Sequence, residues 1–219
     1  MECFGLSAYG DETRGGTYSI ADQVARFSRA ISDGDARYLD IASLYDGGFL
    51  DGKTVLVTGG NRGLGFALCK TCVEGGAVVL VFGRKHSDDL KELGCIQFCG
   101  VDVTSTQAVK NAVEKVVAQG HTLDIVINNA GYFYGPREAV TPSDAMAYDE
   151  QLKQIDTCAI GPLRVSASLR QANALARNAQ IVVITSQAGS VQWRFTQNRN
   201  VGGDYGHHMS RAACNMGAV

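Results

Sequence analysis

KTVLVTGGNRGLG, residues 53–65, decides how the rest of the chain is read. Val55, Leu56 and Val57 form the apolar run that a strand buried on both faces requires. Thr58, Gly59, Gly60, Asn61, Arg62, Gly63, Leu64 and Gly65 then predict a sharp turn, and a helix follows from Leu64 to Val73, stopped by Gly75 and Gly76. Glycine spacing alone could mark an ordinary turn. A buried strand before it and a helix start after it make a phosphate site. Glycines let backbone approach a pyrophosphate closely, and the helix start offers free N–H groups and a positive dipole end.

The remainder alternates in the same manner. Strands are predicted at Lys53–Thr58, Ala77–Phe82, Ile96–Val101, Leu123–Asn128 and Ile181–Thr185. Between them fall a helix from about Ser105, capped by Thr104 with Gln107 and burying Val109, Val113, Val116 and Val117, and a long helix from Tyr148 to Ala176, bent near Gly161-Pro162. Strands alternating with helices predict an α/β fold, a Rossmann-type doubly wound parallel sheet in three αβα layers. Residues 1–16 read as a tail. Two short helices follow, Ser19–Ser32 with Ile20, Val24, Phe27 and Ile31 on one stripe, and Ala36–Tyr45 with Tyr38, Ile41, Leu44 and Tyr45. Such stripes are too short to be stable alone. The chain thus divides into an N-terminal extension over 1–50 and a nucleotide domain over 51–219.

A length of 219 residues suits that one domain with its appendage. A net charge of −2 without a basic stripe argues against a nucleic-acid surface. No apolar run approaches a membrane span, and the first residues lack a signal peptide's apolar region. Seven cysteines in this pattern suggest a soluble protein of a reducing compartment, in the cytoplasm or an organelle interior. Cys69, Cys72, Cys95 and Cys99 could suggest a zinc site. Packing is the better reading, because the first two sit inside the helix after the glycine turn and the others flank a strand.

Gly59, Gly63 and Gly65 are spaced Thr-Gly-x-x-x-Gly-x-Gly, which resembles the cofactor turn of the short-chain dehydrogenase/reductase family. Asn128-Asn129-Ala130-Gly131, after the fourth strand, is similar to that family's second signature. The resemblance runs from Gly52 to Val219 and leaves the first fifty or so residues unaccounted for. It implies a nicotinamide cofactor, hydride transfer to a small carbonyl or from an alcohol, pairing of subunits through the long helix, and two further strands with a substrate-covering segment beyond Val219.

Cofactor choice in dinucleotide folds is displayed after the second strand, where an acid suits NAD and an arginine suits the NADP phosphate. Here the run is Phe82-Gly83-Arg84-Lys85, with no acid. Arg62 is a second base on the turn, and two guanidiniums can clamp one phosphate. NADP(H) is therefore expected. The resemblance further places the adenine contact at Asp102-Val103, and puts Asn129, Ala130 and Gly131 along the cofactor.

The family's chemistry uses a tyrosine as acid/base, a lysine four residues later, a serine that positions the carbonyl and an asparagine that holds a relay water. Ser186, in Thr185-Ser186-Gln187-Ala188-Gly189, keeps the serine. His207-His208-Met209-Ser210-Arg211-Ala212-Ala213 aligns best with the Tyr-x-x-Ser-Lys-Ala-Ala run, so His207 replaces the tyrosine and Arg211 the lysine. The rival register uses Tyr205 but leaves Met209 in the cation's place. Cys158-Ala159-Ile160-Gly161-Pro162 matches Asn-x-x-Gly-Pro, with Cys158 for the asparagine. Arg211 effectively never releases a proton. Imidazole titrates near 6.5 against about 10 for a phenol, and it is shorter. Two readings follow: an NADP(H)-dependent oxidoreductase with Ser186 orienting and His207 or Tyr205 delivering the proton, or a cofactor-binding pseudoenzyme serving a larger assembly, with its N-terminal helices docked elsewhere.

Overall fold

The computed structural model describes residues 23–35, 47–135, 138, 140, 146–198 and 203–218. Its elements are α1 (Gln23–Asp33), β1 (Thr54–Thr58), α2 (Gly63–Glu74), β2 (Val78–Phe82), α3 (Asp88–Glu92), β3 (Ile96–Phe98), α4 (Thr106–Ala118), β4 (Leu123–Asn128), α5 (Tyr148–Ile155), a π-helical turn (Asp156–Ile160), α6 (Gly161–Gln171), β5 (Leu175–Val183), α7 (Val191–Asn198) and α8 (Tyr205–Gly217).

The five strands form one sheet in the order β3-β2-β1-β4-β5, every pair parallel. Residues alternate between its two faces. Leu56, Leu80, Phe82 and Val126 join Val109, Val113, Val116, Val165 and Leu169 on the α4–α6 side. Val55, Val57, Val79, Val81, Ile125 and Ile127 join Cys69 and Cys72 of α2 on the other. Burial on both faces explains why β1, β2 and β4 read as nearly unbroken apolar runs. The chain reverses its winding between β1 and β4, which opens a crevice at their carboxyl ends. The doubly wound reading of the sequence holds.

Several boundaries differ from the sequence expectation. The disturbance of the long helix expected near Gly161-Pro162 takes the form of a π-helical turn over Asp156–Ile160, directly before them. Pro162 has no N–H to give the carbonyl of Cys158, so the preceding turn widens. The helix ends at Gln171 rather than Ala176, where Asn173 adopts a left-handed backbone with φ of 53°. The fifth strand starts at Leu175, six residues early, because a register irregularity between the Leu123 and Ile125 pairings hides it among polar residues. Among the described strands β5 is an edge, and Ile181 and Val182 are 46% and 39% exposed. The third strand ends at Phe98 rather than Val101. Val117 is exposed, and α4 buries Ala112 instead. Its cap is Ser105, whose Oγ accepts from the Ala108 N–H at 3.2 Å.

The first expected helix appears as α1 and stops at Gly34, with φ of 63°. Ala30 is buried but Ile31 is 56% exposed, so Ile31 does not belong to a covered stripe. The helix expected over 36–45 and the tail over 1–16 lie outside the described residues. No helix among the described residues is long and apolar enough to cross a membrane.

Candidate functional site

The crevice between β1 and β4 is built by two loops that bond to each other. Thr58 Oγ1 accepts from the N–H groups of Asn129 and Ala130 at 3.1 and 2.9 Å. Asn129 Nδ2 donates to the carbonyls of Thr58 and Gly59, both at 3.1 Å. The Asn129 amide therefore holds the glycine turn in shape. Gly59 sits at φ of 69°, and a β-carbon there would stand 3.0 Å from Cα of Ala130. A β-carbon on Gly65 would fall onto the Gly59 carbonyl and within 2.5 Å of Asn129 Nδ2. The Gly65 contact could not form without moving backbone, and at Gly59 a β-carbon would be tight and its backbone conformation strained, so these glycines serve the close approach itself.

Arg62 is the residue preceding α2. Its backbone is extended and its side chain makes no capping hydrogen bond. The first amides of α2 thus receive no cap from that side chain, and an uncapped helix start is able to receive an anion. Arg62 and Leu64 are exposed beside Asn61 on the turn. Gly59 N–H donates to the Phe82 carbonyl at 2.9 Å, tying the turn to the end of β2, where Arg84 follows. Asp102 lies across from Arg84. Its Oδ1 accepts from the N–H and Oγ1 of Thr104 at 2.9 and 2.7 Å. Those bonds, opposed by burial and assisted by Arg84 and Arg164, hold the carboxyl below the usual carboxylate range. Thr104, expected from the sequence to cap a helix, instead orients Asp102. The signal was present in the Asp-x-Thr spacing, which favours a side-chain-to-backbone turn.

The second half of the crevice gathers Gly131, Cys158 and Arg211. Arg211 Nη2 and Cys158 Sγ stand 3.3 and 3.9 Å from where a Gly131 β-carbon would be. Arg211 Nη1 donates to the Ile184 carbonyl at 3.0 Å, and its buried Nε has no hydrogen-bond partner. Cys158 lies in the π-helical turn, 1% exposed. Its thiol donates to the Tyr132 carbonyl and accepts from the Tyr132 N–H, each at 3.4 Å. Tyr132 in turn donates its hydroxyl to Glu150 at 2.6 Å, under Lys153 at 4.4 Å from the ring centre. Nothing in the sequence announces this Tyr132 clasp, since it depends on the π-turn.

His207 packs edge-on to Phe133, with ring centres 5.2 Å apart, and its buried Nδ1 has no partner. Burial first, then Arg211 and His208, push its pKa below the ordinary imidazole value, against a small opposing effect of Asp204. The neighbouring His208 is buried and shares a 2.7 Å hydrogen bond with the Ala188 carbonyl through Nδ1. Tyr205 opens α8 with its ring under Arg194, 5.2 Å away. Ser186 Oγ accepts from the Ala188 N–H at 3.1 Å within its own turn. Gly189 lets α8 approach that turn, since a β-carbon there would sit 2.7 Å from Arg211 backbone.

The cysteines near the glycine turn are buried packing groups. Cys69, Cys72 and Cys95 all lie within the core on the α2 side. Burial foremost pushes the Cys69 thiol up to about 12 and raises the other two. Among the described residues no cluster is arranged to hold a metal ion.

A parallel sheet wound 3-2-1-4-5, with a glycine turn and an uncapped helix at its switch point, defines a dinucleotide-binding fold of the Rossmann type. More closely, the chain belongs to the short-chain dehydrogenase family, whose model, described as "short chain dehydrogenase", matches residues 53–198. Among curated relatives it is 29% identical over 164 residues to a 1-hydroxy-2-glutathionyl-2-methyl-3-butene dehydrogenase of a Rhodococcus species, covering 75% of this chain and 67% of that one. It is 32% identical over 145 residues to the 3-oxoacyl-[acyl-carrier-protein] reductase FabG of Chlamydia muridarum, covering 63% and 56%. The chain thus spans between about half and two thirds of these relatives' length. Of solved structures, FabI from Alistipes finegoldii superposes with a TM-score of 0.64 at 18% identity, over 79% of this chain and 66% of that one. A short-chain dehydrogenase/reductase structure from Burkholderia multivorans, with bound NADP, gives 0.61 at 21%, over 75% and 69%. Both likenesses concern the fold.

Proposed function

We propose that this chain binds NADP(H) at the β1–β4 crevice and belongs to the carbonyl- or alcohol-oxidoreductase side of its family, with its proton delivery impaired. The observation that carries the nucleotide part is the glycine cradle: at Gly65 only hydrogen fits, Gly59 takes a left-handed backbone close against Ala130, and the first turn of α2 has no side-chain cap. A pyrophosphate fits that chemistry. Thr58, Gly59, Asn61, Gly63, Leu64 and Gly65 would hold it, with Arg62 and Arg84 toward a ribose phosphate. Asp102 and Val103 would take the adenine, and Ala130 and Gly131 the nicotinamide side. When bound, the cofactor supplies or accepts a hydride.

The chain's own residues do the rest. Ser186 orients a substrate carbonyl, and His207 is the candidate proton donor, with Tyr205 the less suited choice because its ring lies under Arg194. A neutral imidazole is a poor acid until it is protonated, and the depressed pKa of His207 keeps it neutral. Arg211 lends charge without passing a proton. Cys158 turns its thiol hydrogen to Tyr132, so that hydrogen is not available to a relay water. These commitments favour slow turnover and a binding or regulatory role over a fast enzyme. Exposed Tyr148, Leu152 and Leu163 on the long helix fit pairing with a second copy, and exposed Ile31 of α1 fits docking of the N-terminal extension to a host assembly.

The test is single-turnover oxidation of bound NADPH by excess aldehyde or quinone, on the full chain and its His207→Ala variant. Slow loss of the reduced cofactor in both, with NADPH still bound, is the expected result. Ordinary enzymatic rates abolished by His207→Ala would make His207 a working acid and the impaired reading wrong.

A further inference from the structure

Arg164 joins three separate pieces of the fold. From the first turn of α6 its Nη1 donates to the carbonyl of Val103, its Nε donates to Thr106 Oγ1 at 3.1 Å, and its Nη2 pairs with Asp156 Oδ1 at 2.9 Å. The Arg164 side chain is 15% exposed, its bonds to Val103 and Asp156 are partly buried, and its bond to Thr106 is exposed. The addresses matter. Val103 directly follows Asp102, Thr106 opens α4, and Asp156 opens the π-helical turn that carries Cys158. Gly161, three residues before Arg164 and so on the same helix face, presses on the same loop: a β-carbon there would stand 3.0 Å from Val103 Cγ2.

We infer that Arg164 is a positioning residue, which fixes the Asp102–Val103 loop where the adenine end of a cofactor is received and anchors that loop to the π-turn at the crevice's other end. This rests on the nucleotide reading above. Three acceptors lying in different directions call for a planar fork of donors, which arginine has and lysine lacks. Thr104 fixes one oxygen of Asp102 relative to its own loop. The place of the loop in the crevice is what Arg164 adds. The low pKa of the Asp102 carboxyl, to which Arg164 contributes after Thr104 and Arg84, agrees with that proximity.

The experiment compares the full chain with Arg164→Met and Arg164→Lys, using adenosine 2′,5′-bisphosphate and reduced nicotinamide mononucleotide as separate probes. Amide exchange of the free proteins is followed in parallel. Charge-assisted bonds of this kind are worth enough that the bisphosphate dissociation constant should rise roughly tenfold or more in Arg164→Met. It should rise nearly as far in Arg164→Lys, with the mononucleotide constant changed less than about twofold. Exchange should quicken over residues 101–106 and 156–160 together, and not in α2. Parallel weakening of both probes with a lowered melting temperature would reduce Arg164 to a structural residue and overturn the inference. So would unchanged bisphosphate binding. Should Arg164→Met fail to fold, Asp156→Asn must show the same split between probes, and its absence counts equally against the inference. Failure of the unaltered chain to bind the bisphosphate would overturn the nucleotide reading itself, and the inference with it.

Discussion

The thiol of Cys158 grips the backbone of Tyr132 from both sides, accepting its N–H and donating to its carbonyl, each at 3.4 Å. A side chain committed in this way ties the π-turn to the loop after β4. On the function proposed above, the crevice takes the cofactor and lacks one link of the proton path. Restoring Cys158→Asn with His207→Tyr and Arg211→Lys should raise carbonyl reduction by about 10²–10⁴-fold, the usual worth of a positioned acid. Each single change should recover little, because such groups act as a unit. Steady-state NADPH oxidation with an aldehyde checks this, and a single change that matches the triple variant would contradict it.

His207 carries a pH signature. Its pKa in the folded chain is lowered by burial and by Arg211. The unfolded chain therefore binds more protons just below an ordinary imidazole pKa of about 6.5. Stability should rise with pH through that region, and fall as pH drops below about 6.5 toward the lowered folded value. His207→Gln removes that proton linkage. Urea midpoints measured from pH 7.5 down to pH 5 should decline less in the variant than in the unaltered chain. Parallel curves would count against the lowered value.

The buried thiols should be silent. With Cys69 pushed up to about 12, and Cys72, Cys95 and Cys214 raised by burial, thiolate is scarce at neutral pH. Cys99 is exposed. Brief alkylation of the native protein, read by peptide mass spectrometry, should modify Cys99 well before Cys69, Cys72, Cys95, Cys158 or Cys214. Early labelling at Cys69 would show the core on the α2 side to be open.

What could be read in advance followed from local rules. The β1 run and glycine turn were legible because strand burial and close backbone approach restrict residue type at each position. The doubly wound sheet followed from the alternation. The Asn129 amide, the Arg164 fork and the Cys158–Tyr132 clasp were not legible. Each joins segments far apart in the chain, and no periodicity announces such a pairing. The π-turn escaped for a subtler reason: Gly161-Pro162 signalled a disturbance of the helix, but proline's missing donor is felt by the carbonyl of Cys158, one turn before it. The fifth strand was shortened by its polar residues, Arg177, Asn178 and Gln180, which belong to an irregular edge rather than a loop.

The most direct measurement is calorimetric titration of the full-length protein with NADPH and with NADH, repeated on Gly65→Ala and Arg84→Asp. NADPH should bind one site per chain at least tenfold more tightly than NADH, as charged hydrogen bonds from Arg62 and Arg84 to a phosphate would give. Gly65→Ala should abolish binding of both, because its β-carbon meets the Gly59 carbonyl and Asn129. Arg84→Asp should remove or reverse the preference. Equal affinities for the two cofactors, or NADPH binding that survives Gly65→Ala unchanged, would contradict the assignment of this crevice to NADP(H).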